Sequence, residues 1–398
     1  MKDTKRLFYI LAVANFFLYF GFSVWRAVFN NFAVEEIGIS ATQIGLIQSL
    51  RELPGLMGFV LGFLVLWLSE MRVLGLSLLL MGLGILATGW ADGLGILLLS
   101  TMVMSIGFHF FYPSNNSVVL MGISKEATPK VLGGLQSVSS VAAVIGTAMV
   151  WTFVDGKQIG PLTIPAWGYR TTFYVTGGVV IAGSLLAFRN GFGREKQVRR
   201  EKRKVAFRRE YWLYYALTFL MGVRRHIFTT FALFMLVQIY GIPVTWTAAL
   251  LLVNNLVSTF SSAFLGWLVT RLGERKMLTM NFFGLTGVFL GYAYVSLLPV
   301  LFVLFVLDHI FFGFNLAVDS YFQKIAHSPQ EITSNVSMAQ TINHVSALVV
   351  PVLGGILWEQ VSPSAPFLTG VVVALISLVL VQFIRTESIS PLAPQPAD

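Results

Sequence analysis

The sequence predicts an all-α membrane protein of twelve transmembrane helices, arranged as two pseudo-symmetric six-helix bundles. Three observations carry that prediction: a composition that water cannot solvate, apolar stretches that recur along the whole chain, and a charge distribution that divides it in the middle. Of the 398 residues, 56% are hydrophobic and only 11% charged, and mean hydropathy is +0.76. A soluble domain carries about 25% charged residues. So few charges cannot cover the surface of a chain this long, and lipid must solvate the rest. The aromatic share of 14%, with 34 Phe against 12 Tyr and 9 Trp, suits a lipid-facing surface with interfacial anchors.

Stretches able to cross roughly 30 Å of hydrocarbon fall near 7–34, 40–68, 73–91, 94–121, 130–154, 168–189, 211–239, 244–270, 276–295, 298–324, 333–359 and 364–385. The opening Met1 to Arg6 and the apolar run behind it superficially resemble a signal peptide. That run continues through Phe20 to Phe32 with no small-residue cleavage site, so a retained first span is expected. Most connections are short, but the one from Arg189 to Glu210 is long and carries ten Arg and Lys residues. The expected organisation is therefore an N-terminal bundle over 1–190, a basic linker over 191–210, a C-terminal bundle over 211–386 and a disordered tail over 387–398.

Charge sets the orientation. On the linker's side the loops add Lys2, Lys5, Arg6, Arg72, Lys125, Lys130, Arg271, Arg275, Lys276, Lys324 and Arg385. The opposite loops hold Glu35, Glu36, Asp92, Asp155 and Glu359, with only Lys157 and Arg170 as cations. The positive-inside rule then places both termini and the linker in the cytoplasm, in a multi-pass protein of a bacterial inner membrane. The net charge of +9 is a topology signal: nucleic-acid binding would need these cations on one folded surface with interleaved aromatics. Cysteine is absent, which excludes disulfides, thiolate metal sites and cysteine nucleophiles.

The halves repeat. Arg26-x-x-Phe29-x-x-Phe32-Ala33 in span one matches Arg225-x-x-Phe228-x-x-Phe231-Ala232 in span seven, and Gly38-Ile39 matches Gly241-Ile242. Gly107-Phe108-His109 of span four matches Gly313-Phe314-Asn315 of span ten, and Glu126-x-Thr128 matches Glu331-x-Thr333. Spans three, six, nine and twelve carry no Asp, Glu, Lys, Arg or His in their cores, over 73–90, 171–188, 277–297 and 367–384. That is the pattern of peripheral scaffold helices around a cavity lined by the other eight.

The loop between spans eight and nine reads Gly266-Trp-Leu-Val-Thr270-Arg271-Leu-Gly273-Glu-Arg275-Lys276. It resembles the Gly-x-x-x-Asp-Arg-x-Gly-x-Arg-Arg signature of the major facilitator superfamily, with Thr270 where that family usually has Asp. The equivalent loop after span two keeps Gly62 and Arg72, with Leu66 at the acidic position. The resemblance extends over essentially the whole chain. It implies twelve helices in two bundles and a cytoplasmic latch formed by these loops. The Gly-Pro antiporter signature of the fifth helix is not recognisable around Gly146.

Charge at bilayer depth is costly and normally faces a cavity, a partner and a task. Here it comprises Arg26, Arg51, Glu52, Arg224, Arg225, Asp308 and Asp319, together with His109, His226, His309 and His344. Helical spacing aligns Ser105, His109, Tyr112 and Asn116 in span four, and Asp308, Asn315 and Asp319 in span ten. It likewise aligns Thr333, Ser337, Gln340 and His344 in span eleven, and Asn255, Ser258 and Ser262 in span eight. Such stripes either line a water-filled cavity or bond helices to one another.

Arg26 and Arg225, mirrored between the halves, present planar donor forks suited to carboxylate or phosphate. The arrangement resembles organophosphate–phosphate antiporters of the family, in which arginines on helices one and seven grip phosphate. Their histidine on helix five has no counterpart here, leaving His109 or His344 to substitute. A second reading pairs Arg26 or Arg225 internally with Glu52 or Asp308. Candidate substrate-binding residues are thus Arg26, Arg225, His109, Asn315, Gln340 and His344. Candidate coupling residues are Glu52, Asp308 and Arg51, although adjacency alone does not make Arg51 and Glu52 an ion pair, because helix neighbours diverge by about 100°.

The expected function is alternating-access transport of a small anionic or polar organic solute by a monomer, with protons as the coupling ion and no cofactor or metal. Drug efflux by proton antiport and lipid translocation are the alternatives. No enzyme motif is present: the sequence lacks His-Glu-x-x-His, Gly-x-Ser-x-Gly and a P-loop.

Overall fold

A computed structural model describes residues 2–57, 60, 64, 67–124, 127–191, 208–327 and 329–385. Gly62, Lys125, Glu126, the body of the basic linker and the C-terminal tail lie outside the described residues, as do the side chains of Thr333, Ser337 and Ser262. The described chain is almost entirely helical. Its helices are α1 (Lys2–Glu35), α2 (Ala41–Leu56), α3 (Glu70–Thr88), α4 (Leu94–Gly122), α5 (Thr128–Phe153), α6 (Gly168–Gly191), α7 (Trp212–Ile227) and α8 (Leu233–Gln238). They continue with α9 (Val244–Leu272), α10 (Glu274–Tyr294), α11 (Leu298–Phe312), α12 (Asn315–Ile325), α13 (Pro329–Gln360) and α14 (Ala365–Val381). Among the described residues, seven helices are long and apolar enough to cross a membrane.

Local chemistry explains the boundaries. Ser40 and Gln43 form a reciprocal capping box at the start of α2, which satisfies two of its free backbone donors. Gly38 and Gly241 both adopt the left-handed conformation, at φ 72° and 59°, which only glycine enters without strain. In each case the next residue's N–H reaches the carbonyl six positions back, Ile39 to Ala33 and Ile242 to Leu236. The two matched sequence positions are therefore matched turns. Between α5 and α6 the chain makes a short hairpin, β1 (Lys157–Ile159) and β2 (Leu162–Ile164), in which Lys157 pairs with Ile164. Gly160, at φ 60°, turns it.

The structure divides into two compact units, Met1–Arg199 with Leu233–Asn255, and Arg200–Ala232 with Leu256–Asp398. Inside the first, α1 packs on α5 and α6, while α3 packs on α4 and α6. Inside the second, α7 packs on α13 and α14, while α10 packs on α11 and α14. The same partnerships recur, as a duplicated helical unit requires.

Small residues set the closest approaches. A Cβ on Gly84 of α3 would collide with the Met104 backbone of α4, and one on Gly107 of α4 would collide with the Ser77 and Met81 backbones of α3. Backbone cannot move aside as a side-chain tip does. Without a hydrophobic drive between helices in lipid, such close contact supplies the association. Gly107→Leu is therefore expected to cost about 1–3 kcal/mol by overpacking, read as a fall in the unfolding midpoint of purified protein. An unchanged midpoint would contradict the packing described here.

Candidate functional site

Polar side chains collect in each unit on the helices that the sequence singled out, but with partners that spacing did not supply. In the first unit, Arg51 and Glu52 of α2 do form an ion pair, Nη2 to Oε1 at 2.9 Å. The long guanidinium arm swings back along the helix surface, so the divergence of neighbouring Cα–Cβ bonds does not separate the heads. Arg51 also lies over the Trp25 ring of α1, with Cζ 5.9 Å from its centre, within the range of a cation–π contact. Trp25 is itself buried, with its ring centre 4.3 Å from that of Phe29 at a tilt of 32°.

His109 of α4 completes this cluster. Its Nδ1 lies 3.0 Å from the Ser105 carbonyl oxygen and 3.0 Å from Ser105 Oγ. The Ser105 hydroxyl meanwhile donates to the Arg51 carbonyl. A carbonyl oxygen can only accept, so a bond to it requires the tautomer that carries the proton on Nδ1. The other ring nitrogen, Nε2, then turns its lone pair toward Glu52 Oε2 at 3.6 Å. Two acceptors face each other, and a single proton between them converts that opposition into a charge-assisted bond. All three side chains are half-buried, at 14–19% exposure.

Two further polar links of this unit had no signal in the helical stripes. Asn15 Nδ2 of α1 donates to Asn115 Oδ1 of α4 at 2.8 Å, one position off the predicted stripe, while the stripe's Tyr112 is exposed. Asn31 of α1 is fully buried. Its Nδ2 donates to the Ile242 carbonyl at 2.8 Å, and its Oδ1 accepts from Thr247 Oγ1 of α9 at 2.9 Å.

In the second unit, Asp308 of α11 takes Arg224 rather than Arg225: Arg224 Nη1 lies 3.1 Å from Asp308 Oδ2, and the two side chains are 1% and 0% exposed. Arg224 Nε and Asp308 Oδ1 are buried with no hydrogen-bond partner among the described residues. Asp308 thus engages Arg224, the neighbour in sequence of the Arg225 that the sequence offered for it. Arg224 and Arg225 both lie over one ring, with their Cζ atoms 5.4 and 4.9 Å from the centre of Phe312. His309 Nε2 bonds Ser258 Oγ of α9 at 2.7 Å and stacks on Phe312 at 6.4 Å. Directly after these cations the helix widens into a π-turn over Phe228–Ala232, a feature that recurs at functional sites.

The expected stripe Asp308–Asn315–Asp319 is not one continuous face. The helix tightens at Gly313 and Phe314, whose N–H groups reach back three residues to Ile310 and Phe311, and α12 restarts at Asn315. Asn315 and His344 are half-buried, while Gln340 is exposed on α13. Arg26 and Arg225 are half-buried on α1 and α7.

The signature loop after α9 compensates for its missing acid. Thr270 Oγ1 bonds back to Gly266 within its own helix, while the buried Glu274 accepts from Lys324 Nζ at 2.6 Å and Ser320 Oγ at 2.6 Å. Burial by itself raises the Glu274 carboxyl, but the bonds from Lys324 and Ser320 outweigh it and hold the group below its ordinary value. Gly273, at φ 76°, starts α10, and Arg271 lies over Trp267 at 4.6 Å. Arg72 is exposed, and its N–H donates to Ser69 Oγ at the start of α3.

At the start of α13, Glu331 receives a forked contact from Arg208 at 2.8–3.1 Å and a bond from the Tyr211 hydroxyl. The Arg208 bonds, and then that of Tyr211, hold its carboxyl below the ordinary glutamate value. A carboxyl lowered by folding stabilises the fold above its unfolded value and ceases to as pH falls through the folded one. The wild type is therefore expected to lose stability in acid below about pH 4.3, the ordinary glutamate value, and Glu331→Gln to lose less. Identical acid profiles in thermal unfolding would contradict this role.

A sequence profile of the Major Facilitator Superfamily matches residues 11–334. Among solved structures, the chain is similar to a point mutant of the nucleoside transporter NupG, with TM-score 0.76 and 13% identity over 95% of this chain and 99% of that one. It is also similar to a bacterial homologue of the human lysosomal transporter Spinster, captured inward-facing and occupied. There the TM-score is 0.75 and the identity 14%, over 96% of this chain and 97% of that one. At these identities the likeness is one of fold.

Proposed function

We propose that this chain, which belongs to the major facilitator superfamily and is a multi-pass membrane protein, is a proton-coupled carrier of a small anionic or polar organic solute. Its twelve spans form two bundles over 1–190 and 211–386, with both termini cytoplasmic, in a bacterial inner membrane. The single observation that carries the coupling is the cluster of Glu52, His109 and Ser105. With Nδ1 committed to the Ser105 carbonyl, Nε2 and the Glu52 carboxylate are complementary to one shared proton. Arg51, bound to the same carboxylate, gains or loses its counter-charge as that proton comes and goes, and this is how protonation is read by the rest of the unit.

The cation-rich turn around Arg225, set over Phe312, supports an anionic solute, with Arg26 as its repeat-related counterpart. An oxyanion suits the guanidinium fork better than a neutral solute does. Phosphate-bearing solutes are preferred within this reading, following the resemblance to organophosphate–phosphate antiporters. Similarity to a nucleoside transporter supports a polar organic body on the anion.

A thermal-shift screen of purified protein against organic phosphates, carboxylates, nucleosides, sugars and amphipathic drugs tests the class. Stabilisation by organic anions is expected. Stabilisation by lipophilic cations alone would move the reading to drug efflux.

A further inference from the structure

The second unit carries an exposed apolar groove beside its signature loop. Between α10 and α14 runs a groove of about 520 Å³, lined by Thr279, Met280, Phe283, Leu378, Val379, Gln382 and Phe383. Its walls are apolar and open, with Met280 51%, Phe283 74%, Val379 61% and Phe383 57% exposed to their surroundings. One end is closed by a polar clasp. Arg275 donates to Gln382 Oε1 through Nε at 3.3 Å and Nη2 at 3.1 Å, and Gln382 Nε2 donates to Thr279 Oγ1 at 3.1 Å. Arg275 and the neighbouring Lys276 are both exposed.

We infer that this groove is a specific binding site for an anionic phospholipid, with one acyl chain between α10 and α14 and the phosphate on Arg275 and Lys276. The argument is charge complementarity joined to shape. A free anion would need no apolar trough, and a zwitterionic lipid would gain little from two adjacent cations. Basic pockets between transmembrane helices hold anionic head groups for this reason. The clasp also fixes depth. Gln382 orients the guanidinium at the mouth, where the positive-inside pattern puts the cytoplasmic leaflet, and Thr279 and Phe283, one helical turn apart, direct the chain from there into the bilayer. The site is independent of which solute is carried.

The test is native mass spectrometry of the purified full-length chain equilibrated with equal amounts of phosphatidylglycerol and phosphatidylcholine bearing the same acyl chains. Wild type is expected to retain phosphatidylglycerol in preference. Arg275→Gln should lower that preference about fivefold, the equivalent of roughly 1 kcal/mol for one cation at a lipid surface. Val379→Trp fills the groove from an exposed position without touching the cations, and should abolish retention. Arg72→Gln, an exposed cation in the other unit, should leave the preference unchanged. Equal retention of the two lipids by wild type would overturn the inference. So would undiminished phosphatidylglycerol binding in Val379→Trp, which would reduce the site to a surface charge.

Discussion

Asp308→Ala is expected to cost about 3–5 kcal/mol of stability, because it strands a guanidinium that has no route to water. Arg224 is 1% exposed and Asp308 0%, and among the described residues Arg224 has an aromatic ring beside it and no second carboxylate in an ion pair with it. Coulomb attraction and desolvation nearly cancel while both charges are present, so the pair contributes little net stability. Removing one partner leaves only the penalty. The double variant Arg224→Met with Asp308→Leu should therefore recover most of the loss. Thermal unfolding of Arg224→Met, Asp308→Leu and the double variant measures the coupling as a cycle. Singles as stable as wild type would show that the charges are not buried against each other. A stable double variant that still transports would confine the pair to architecture, whereas a stable but inactive one would place it in the cycle.

Arg225→Ala is expected to weaken binding of the stabilising anion by about 2 kcal/mol or more, the scale for truncating one partner of a desolvated charge contact. The ring of Phe312 holds the guanidinium from one side at 4.9 Å, which pre-orients the fork so that little side-chain entropy is lost when the oxyanion arrives. Arg26→Ala should have a similar effect, because the two positions are equivalent in the repeat. Lysine at either position keeps the charge but not the fork, and should recover only part of the affinity. Isothermal titration with the best anion from the screen is the measurement. Full affinity in both alanine variants would remove the anion site from the account.

Much of the fold was legible because lipid imposes simple rules. Apolar lengths foretold an almost entirely helical chain, and the matched Gly38 and Gly241 fall on two left-handed turns, because such a residue leaves a fixed mark in sequence. The hairpin at Lys157–Ile164 was not foreseen, since strands of three residues lie below any periodicity signal. The site was legible in residue type but not in partnership. Periodicity put His109 and Ser105 on one face, and the structure joins them. It put Asp308, Asn315 and Asp319 on one face as well, and the tightened turn at Gly313 broke that register. The alternative that paired Arg26 or Arg225 with Glu52 or Asp308 grew from repeat matching, which finds equivalent positions and is blind to which of two adjacent arginines, Arg224 or Arg225, reaches Asp308. Glu274 was overlooked because the signature places its acid four residues earlier. Asn31 offered only its i,i+4 spacing to Glu35 as a cue; its other partners, a main-chain carbonyl and a threonine, lie more than two hundred positions away.

Coupling is the claim on which the functional account stands, and uptake of the stabilising anion into proteoliposomes under an imposed proton gradient measures it directly. One pH unit supplies about 1.4 kcal/mol per proton, enough for roughly tenfold accumulation if one proton moves with one solute. Wild type is expected to concentrate the anion and to lose that ability when a protonophore collapses the gradient. Glu52→Gln is expected to exchange internal for external anion without concentrating it. Accumulation that ignores both the gradient and the protonophore, or that survives intact in Glu52→Gln, would contradict proton coupling through Glu52 and His109.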